Sequence, residues 1–180
     1  MQIDTSNWKE FKISDLFEIR RGDRIVKDVD YSDLPNENNV FPVITTTTNN
    51  NGVDGFYSKY NCNGNCIVSG GEASGMFTTY QKEPFWGLDT IRIYTPIGFE
   101  MNEKRALFLA TLLTKNMYRF SYGRKAKPSN MYTLDIKLPT TPDGQPDWQY
   151  MDEFMGGAAL RTYNNFGKVF KDAFGNNSME

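Results

Sequence analysis

Trp8-Lys-Glu-Phe-Lys-Ile-Ser-Asp-Leu-Phe-Glu-Ile-Arg-Arg-Gly-Asp23 changes its pattern twice within a short stretch. Trp8 to Ile13 reads as an amphipathic lead-in of alternating character. Ser14 to Phe17 reads as a capped turn of helix. Glu18 to Arg21 is a short strand, stopped by Gly22-Asp23. Strand-like and helical segments this short predict an irregular α+β chain rather than a bundle of long helices.

Working outward, residues 28–39 are polar, carry Pro35, and read as a loop. Val40 to Ile44 predicts a strand in which Pro42 calls for an edge or strand-start position. Thr45 to Gly52 holds four Thr, three Asn and a Gly without an apolar anchor, and predicts an exposed turn. Val53–Tyr57, Cys66–Ser69, Met76–Tyr80 and Thr90–Tyr94 read as further strands. Glu103 to Asn116 predicts the central helix, with Ala106, Leu107, Ala110, Leu113 and Met117 on its buried face. Thr133 to Leu138 is a last strand, ended by Pro139. Asp147 caps a helix to Phe154, Gly156-Gly157 predicts a break, and Ala158 to Phe174 a final helix. The expected fold is thus α+β: a single domain with a twisted, loop-rich, mostly antiparallel sheet, one central helix and two C-terminal helices.

At 180 residues the chain is one domain's worth, and 39% hydrophobic with 23% charged residues is the balance of a folded globular protein, not a disordered one. No apolar run approaches the roughly 20 residues of a membrane helix. The first residues, Met1 to Trp8, lack the basic and apolar regions of a secretory signal, so the cytoplasm is the expected compartment. There is no histidine, which removes Ser-His-Asp and Cys-His nucleophile systems and imidazole-bound zinc from consideration. Cys62 and Cys66 are too few for a four-thiolate site and lack the Cys-x-x-Cys spacing. The plain expectation is a buried Cys66 at a strand start and Cys62 in a turn; a disulfide or an intermolecular metal are the alternatives.

The formal net charge is −2, yet the cations are sorted. Arg20, Arg21, Arg24 and Lys27 form one cluster. Between Met101 and Asn130, seven cations (Lys104, Arg105, Lys115, Arg119, Arg124, Lys125 and Lys127) face the single acid Glu103. One such run is ordinarily a solvated face; two, rich in Arg, predict a local field that attracts a polyanion. Tyr118 to Asn130 mixes guanidinium, ammonium, hydroxyl and amide donors suited to phosphate oxygens. Asn and Thr in the 45–52 turn suit base edges, Asn pairing with adenine and Thr meeting the thymine methyl. The candidate DNA contacts are Arg20, Arg21, Arg24, Lys27, Thr47, Asn49, Asn50, Asn51, Arg124, Lys125, Lys127 and Asn130. Gly70 to Gly75 has P-loop spacing without the lysine, so a phosphate loop is excluded. Asp135 and Lys137 share one strand face as in a metal-dependent nuclease, which makes a small nuclease the rival reading. In the last helix, Ala159, Tyr163, Phe166, Phe170 and Ala173 form a seam at steps of four and three; Tyr163, Phe166 and Phe170 are the candidate assembly residues, with packing on the chain's own domain the alternative.

Taken in order, Trp8 to Ile19 with Arg21-Gly22, Pro42-Val-Ile-Thr45 with Asn50-Asn-Gly-Val53, the Gly-rich turn with Phe77, Tyr122-Gly-Arg-Lys-Ala126, and Ile136-Lys-Leu-Pro139 through Asp143-Gly-Gln-Pro-Asp-Trp148 resemble a known pattern. The chain resembles the target recognition domain of type I restriction–modification specificity subunits, and of related type II specificity subunits, over about residues 8–155. The resemblance implies a non-catalytic reader of double-stranded DNA at 1–155 and a helical spacer or dimerisation appendage at 156–180. It also implies a methyltransferase subunit as partner, with a restriction subunit and a homodimer open. The chain itself needs no cofactor or metal; S-adenosylmethionine, ATP and Mg²⁺ belong to the partners. One recognition domain stands where the usual subunit has two, leaving a half-subunit that dimerises, a solitary relative or a remnant open. A third reading is a protein-interaction module that keeps the fold without binding DNA.

Overall fold

From Ile91 to Tyr94 the side chains alternate between two apolar clusters: Ile91 and Ile93 enter one, Tyr94 the other. A strand buried on both faces must lie between two layers. The computed structural model describes residues 4–25, 31–71, 77–116, 119 and 127–174, with the backbone alone for 128, 161 and 163–174. Its strands are β1 (Lys9–Lys12), β2 (Phe17–Arg21), β3 (Tyr31–Ser32), β4 (Phe41–Ile44), β5 (Val53–Tyr57), β6 (Cys66–Gly70), β7 (Thr78–Gln81), β8 (Trp86–Gly87), β9 (Ile91–Pro96) and β10 (Asp135–Leu138). Its helices are α1 (Ile13–Leu16), α2 (Glu103–Lys115), α3 (Pro128–Met131) and α4 (Trp148–Phe174).

The α+β class holds, but among the described residues the expected single sheet is three. The central one is antiparallel with the order β2-β9-β6-β7. Its first face carries Phe17, Ile19, Ile67 and Tyr94 against α1, α2, α4 and the β1-β10 pair, forming the larger core with Leu109, Leu113, Met131, Ile136 and Met151. Its second face carries Val68, Ile91 and Ile93 against Ile44 and Val53 of the β3-β5-β4-β8 sheet and against Phe85, which precedes β8. The β4-β8 contact is parallel and reaches only Val43 and Ile44. Pro42 is thereby unpaired on that side, where its missing N–H costs nothing.

Three local expectations are corrected. Leu107 is 42% exposed, while Phe108 and Leu109 are buried; Leu109 shares the face of Ala106 and Leu113 at steps of three and four, and Leu107 falls one position off it. The stop at Gly156-Gly157 does not occur: α4 runs unbroken for 27 residues. Each helical glycine costs only about 1 kcal/mol, less than the aromatic anchors at its start provide. Trp148 stacks on Phe99 with ring centroids 4.1 Å apart, and Phe154 meets Phe108 edge-on at 5.7 Å. The two C-terminal helices expected are therefore one. Its start is as the sequence indicated, with Asp147 Oδ1 accepting the Tyr150 N–H at 2.9 Å.

Candidate nucleic-acid interface

β2 does not end at the central sheet. Asp23 beyond it bridges Leu88 in parallel, and its N–H donates to the Gly87 carbonyl at 2.9 Å. Leu88 in turn donates to the Ile44 carbonyl at 3.0 Å. Three parallel segments, Arg21–Asp23, Trp86–Leu88 and Val43–Ile44, therefore finish on one rim. The residues that leave it are Arg24, Asp89 and the Thr45–Gly52 turn. At about 4.8 Å per strand spacing, Arg24 and Thr45 leave the rim roughly 10 Å apart. Gly22 makes the joint: a Cβ there would overlap the carbonyl oxygens of Gly87 and Leu88.

The turn is held by its own polar groups. The Thr45 and Thr47 hydroxyls accept the N–H groups of Thr47 and Asn49 at 3.2 and 3.4 Å. Asn50, Asn51 and Gly52 all have positive φ, at 47°, 54° and 87°. That run explains an Asn-Asn-Gly sequence, because Asn tolerates and Gly favours the left-handed region. Asn51 ties the turn to β7: its amide donates to the Tyr80 carbonyl at 3.0 Å, and its own carbonyl accepts from Gln81 at 2.8 Å. Asn49 and Asn50 are exposed.

The cations differ in availability. Arg21 is committed to Asp89, donating from Nε to its carbonyl at 2.5 Å and pairing with its carboxylate at 3.2 Å. Arg20 donates from Nη2 to the Asn61 carbonyl at 2.5 Å. Asn61 is a junction that sequence reasoning missed: its amide donates to Asp23 Oδ2 and the Gly87 carbonyl, both at 2.9 Å, and accepts the Gly87 N–H at 2.7 Å. Nothing local marks it, because its partners lie 26 and 38 positions away. Arg24 and Lys127 are exposed and Asn130 half-buried. Lys127 immediately precedes α3 and Asn130 lies within it; this short helix packs beside β2, with the following Tyr132 hydroxyl donating to the Ile19 carbonyl at 3.0 Å. Lys27, Arg124 and Lys125 lie outside the described residues, as do the side chains of Tyr163, Phe166 and Phe170.

Asp135 and Lys137 each sit opposite a residue of opposite charge across the β1-β10 pair. The β1-β10 register sets Lys12 opposite Asp135 and Glu10 opposite Lys137, an opposite-charge ladder on an outer face. Among the described residues no group of three or more His, Cys, Asp or Glu side chains could hold a metal ion. The nuclease reading finds no support. No helix among the described residues is long and apolar enough to cross a membrane.

A family model described as the type I restriction modification DNA specificity domain matches residues 5–163. The chain belongs to that family. It is 27% identical over 151 residues to the specificity subunit S.BcgI of a type II restriction enzyme from Heyndrickxia coagulans, covering 83% of this chain and 42% of that one. The fold is similar to the S subunit of a type I restriction–modification system from M. genitalium, with TM-score 0.61 and 12% identity over 93% of this chain and 42% of that one. It is likewise similar to the HsdS subunit of Thermoanaerobacter tengcongensis, with TM-score 0.60 and 12% identity over 98% and 42%. The chain thus spans less than half the length of these relatives.

Proposed function

We propose that this specificity-domain chain reads one half of a split double-stranded DNA site and performs no chemistry itself. Methylation and cleavage belong to methyltransferase and restriction subunits that it directs. The observation that carries this reading is the shared rim, where Arg24 leaves one parallel segment and the Asn-rich turn another. A cation that grips phosphate and amides that pair with base edges are the two kinds of contact that sequence-specific binding combines. Asn130 on α3 and Lys127 just before it add donors beside β2, and in the sequence Arg124 and Lys125 extend the same basic stretch. The 156–180 segment, helical as far as Phe174, serves as spacer or dimerisation surface through Tyr163, Phe166 and Phe170. The supporting family membership covers residues 5–163.

The test is selection from a random duplex library at low salt, followed by incubation with Mg²⁺. The expected result is enrichment of one short sequence class with every duplex left intact. Equal retention of all sequences, or none, removes the reading role; cut DNA removes the non-catalytic one.

A further inference from the structure

Between Cys62 and Cys66 the chain reverses through Gly64 and Asn65, whose φ angles are +82° and +50°. The reversal is pinned at both ends. Cys62 exchanges backbone hydrogen bonds with Phe85 at 3.1 and 3.2 Å, and the Asn65 N–H donates to the Lys82 carbonyl at 3.0 Å. The Asn65 side chain accepts from the Tyr80 hydroxyl at 2.9 Å. So held, the two sulfurs lie 3.5 Å apart, Cys66 buried and Cys62 half-buried. They are the chain's two cysteines.

The pair shares its protons unequally. The Cys66 S–H donated to Cys62, a Gly64 backbone bond and the Arg20 guanidinium pull the Cys62 thiol down to about 6 against the opposing effect of burial. The hydrogen bond to Cys62 and burial push Cys66 up. A half-exposed thiolate beside a protonated thiol is the arrangement of an attacking and a resolving cysteine.

We propose that Cys62 and Cys66 are a reversible oxidation site that takes hydroperoxides, Cys62 attacking and Cys66 resolving. The Cys62 sulfur gives an electron pair to one peroxide oxygen. The O–O bond breaks, and the departing oxygen takes a proton from solvent and leaves as water, or as an alcohol from an organic hydroperoxide. Cys62 is then a sulfenic acid, oxidised by two electrons. Cys66 gives up its proton and attacks the Cys62 sulfur; the S–O bond breaks and the hydroxyl leaves with that proton as water. Overall, two thiols and one hydroperoxide give one disulfide and two waters, or one water and an alcohol. The sulfurs need to close only to about 2.0 Å. The ring spans few residues, so it gains little loop-closure stabilisation and is open to reduction by thiols.

The test uses the reduced 180-residue chain and hydrogen peroxide near neutral pH. The expected product is a monomer lighter by two hydrogens, with both sulfurs closed to iodoacetamide and both restored by dithiothreitol. Cys66→Ser should instead hold Cys62 as a sulfenic acid that dimedone traps, and Cys62→Ser should leave Cys66 unoxidised over the same interval. Wild-type chain that gains oxygen atoms or forms intermolecular dimers without the internal disulfide overturns the proposal. So does Cys62→Ser oxidising as fast as wild type.

Discussion

Asp152 accepts two hydrogen bonds from Arg105 at a single carboxylate oxygen, 2.7 Å from Nη2 and 3.1 Å from Nε. Its other oxygen accepts the Asn102 amide at 3.0 Å, and Asn102 is also the cap of α2, accepting the Arg105 N–H at 2.9 Å. One side chain of α4 therefore engages both the cap and the first turn of α2.

Asp152→Ala should lower stability by about 2 kcal/mol, because it strands a charged donor and an amide that are both mostly shielded from water. The side chains of Arg105 and Asp152 are only 20% and 24% exposed, so solvent screening is limited. Urea midpoints of Asp152→Ala, Arg105→Ala and the double variant measure it. Additive losses would show that the pair contributes no coupling.

Gly22→Ala should cost about 3 kcal/mol, since the added methyl meets two backbone carbonyls that cannot turn aside. Gly98 supplies the control: nothing lies within 4 Å of its added Cβ, and its φ of +73° alone resists alanine, for about 1 kcal/mol. Thermal unfolding ranks the two, and equal losses would refute the close-approach account of Gly22.

Within the turn, Asn49→Ala and Asn51→Ala should differ in kind. Removing the exposed Asn49 amide should relax preference at one base pair by about 1–3 kcal/mol. Removing the Asn51 amide unties the turn from Tyr80 and should weaken binding to every sequence alike. Affinity measured on a panel of single-base variants separates the two patterns, and identical profiles would contradict the division.

Arg24→Ala should lower the slope of log affinity against log salt by about one, as for one lost phosphate contact. Asp89→Asn should act oppositely, tightening binding to all duplexes by leaving the Arg21 charge uncompensated on the rim. Titrations at several salt concentrations read both. A slope unmoved by Arg24→Ala takes that residue off the phosphate path.

Stability should rise with pH from about 6 to 9. Across that window the folded Cys62 has lost its proton while the unfolded thiol, with its ordinary value of 9.0, still holds one, so the unfolded chain binds more protons and folding gains. Above that window the sign reverses, because folded Cys66 keeps a proton that the unfolded chain releases. Burial also pushes Tyr94 up from 10.0 to about 12, so stability should fall further between those values. Cys62→Ser should abolish the rise and shrink the fall that Cys66 causes, because the Cys66 shift leans on Cys62, while sparing the part that Tyr94 causes between 10 and about 12; denaturation midpoints across pH would show it.

Much of the fold was legible because it is locally encoded. Alternation marked β9 and β10, the apolar Cys66-Ile-Val run marked β6, Gly22-Asp23 marked the end of β2, and Asp147 announced the start of α4 three residues before the N–H it caps. The Thr-Asn-Asn-Gly composition announced a turn, and the ordered motifs announced the family. The site was less legible. Asn51 looked like a base reader and is tied to Tyr80, 29 positions on; Arg21 looked like a phosphate contact and is paired with Asp89, 68 positions on.

Local pattern determined which segments extend, turn or coil, since period and backbone conformation are properties of neighbouring residues. Tertiary structure alone decided that β2, β8 and β4 end together, which polar side chains are consumed in holding them, and that α4 continues through two glycines. Strand partners and hydrogen bonds between residues tens of positions apart depend on how layers close over a shared core, and no residue's own neighbours carry that information.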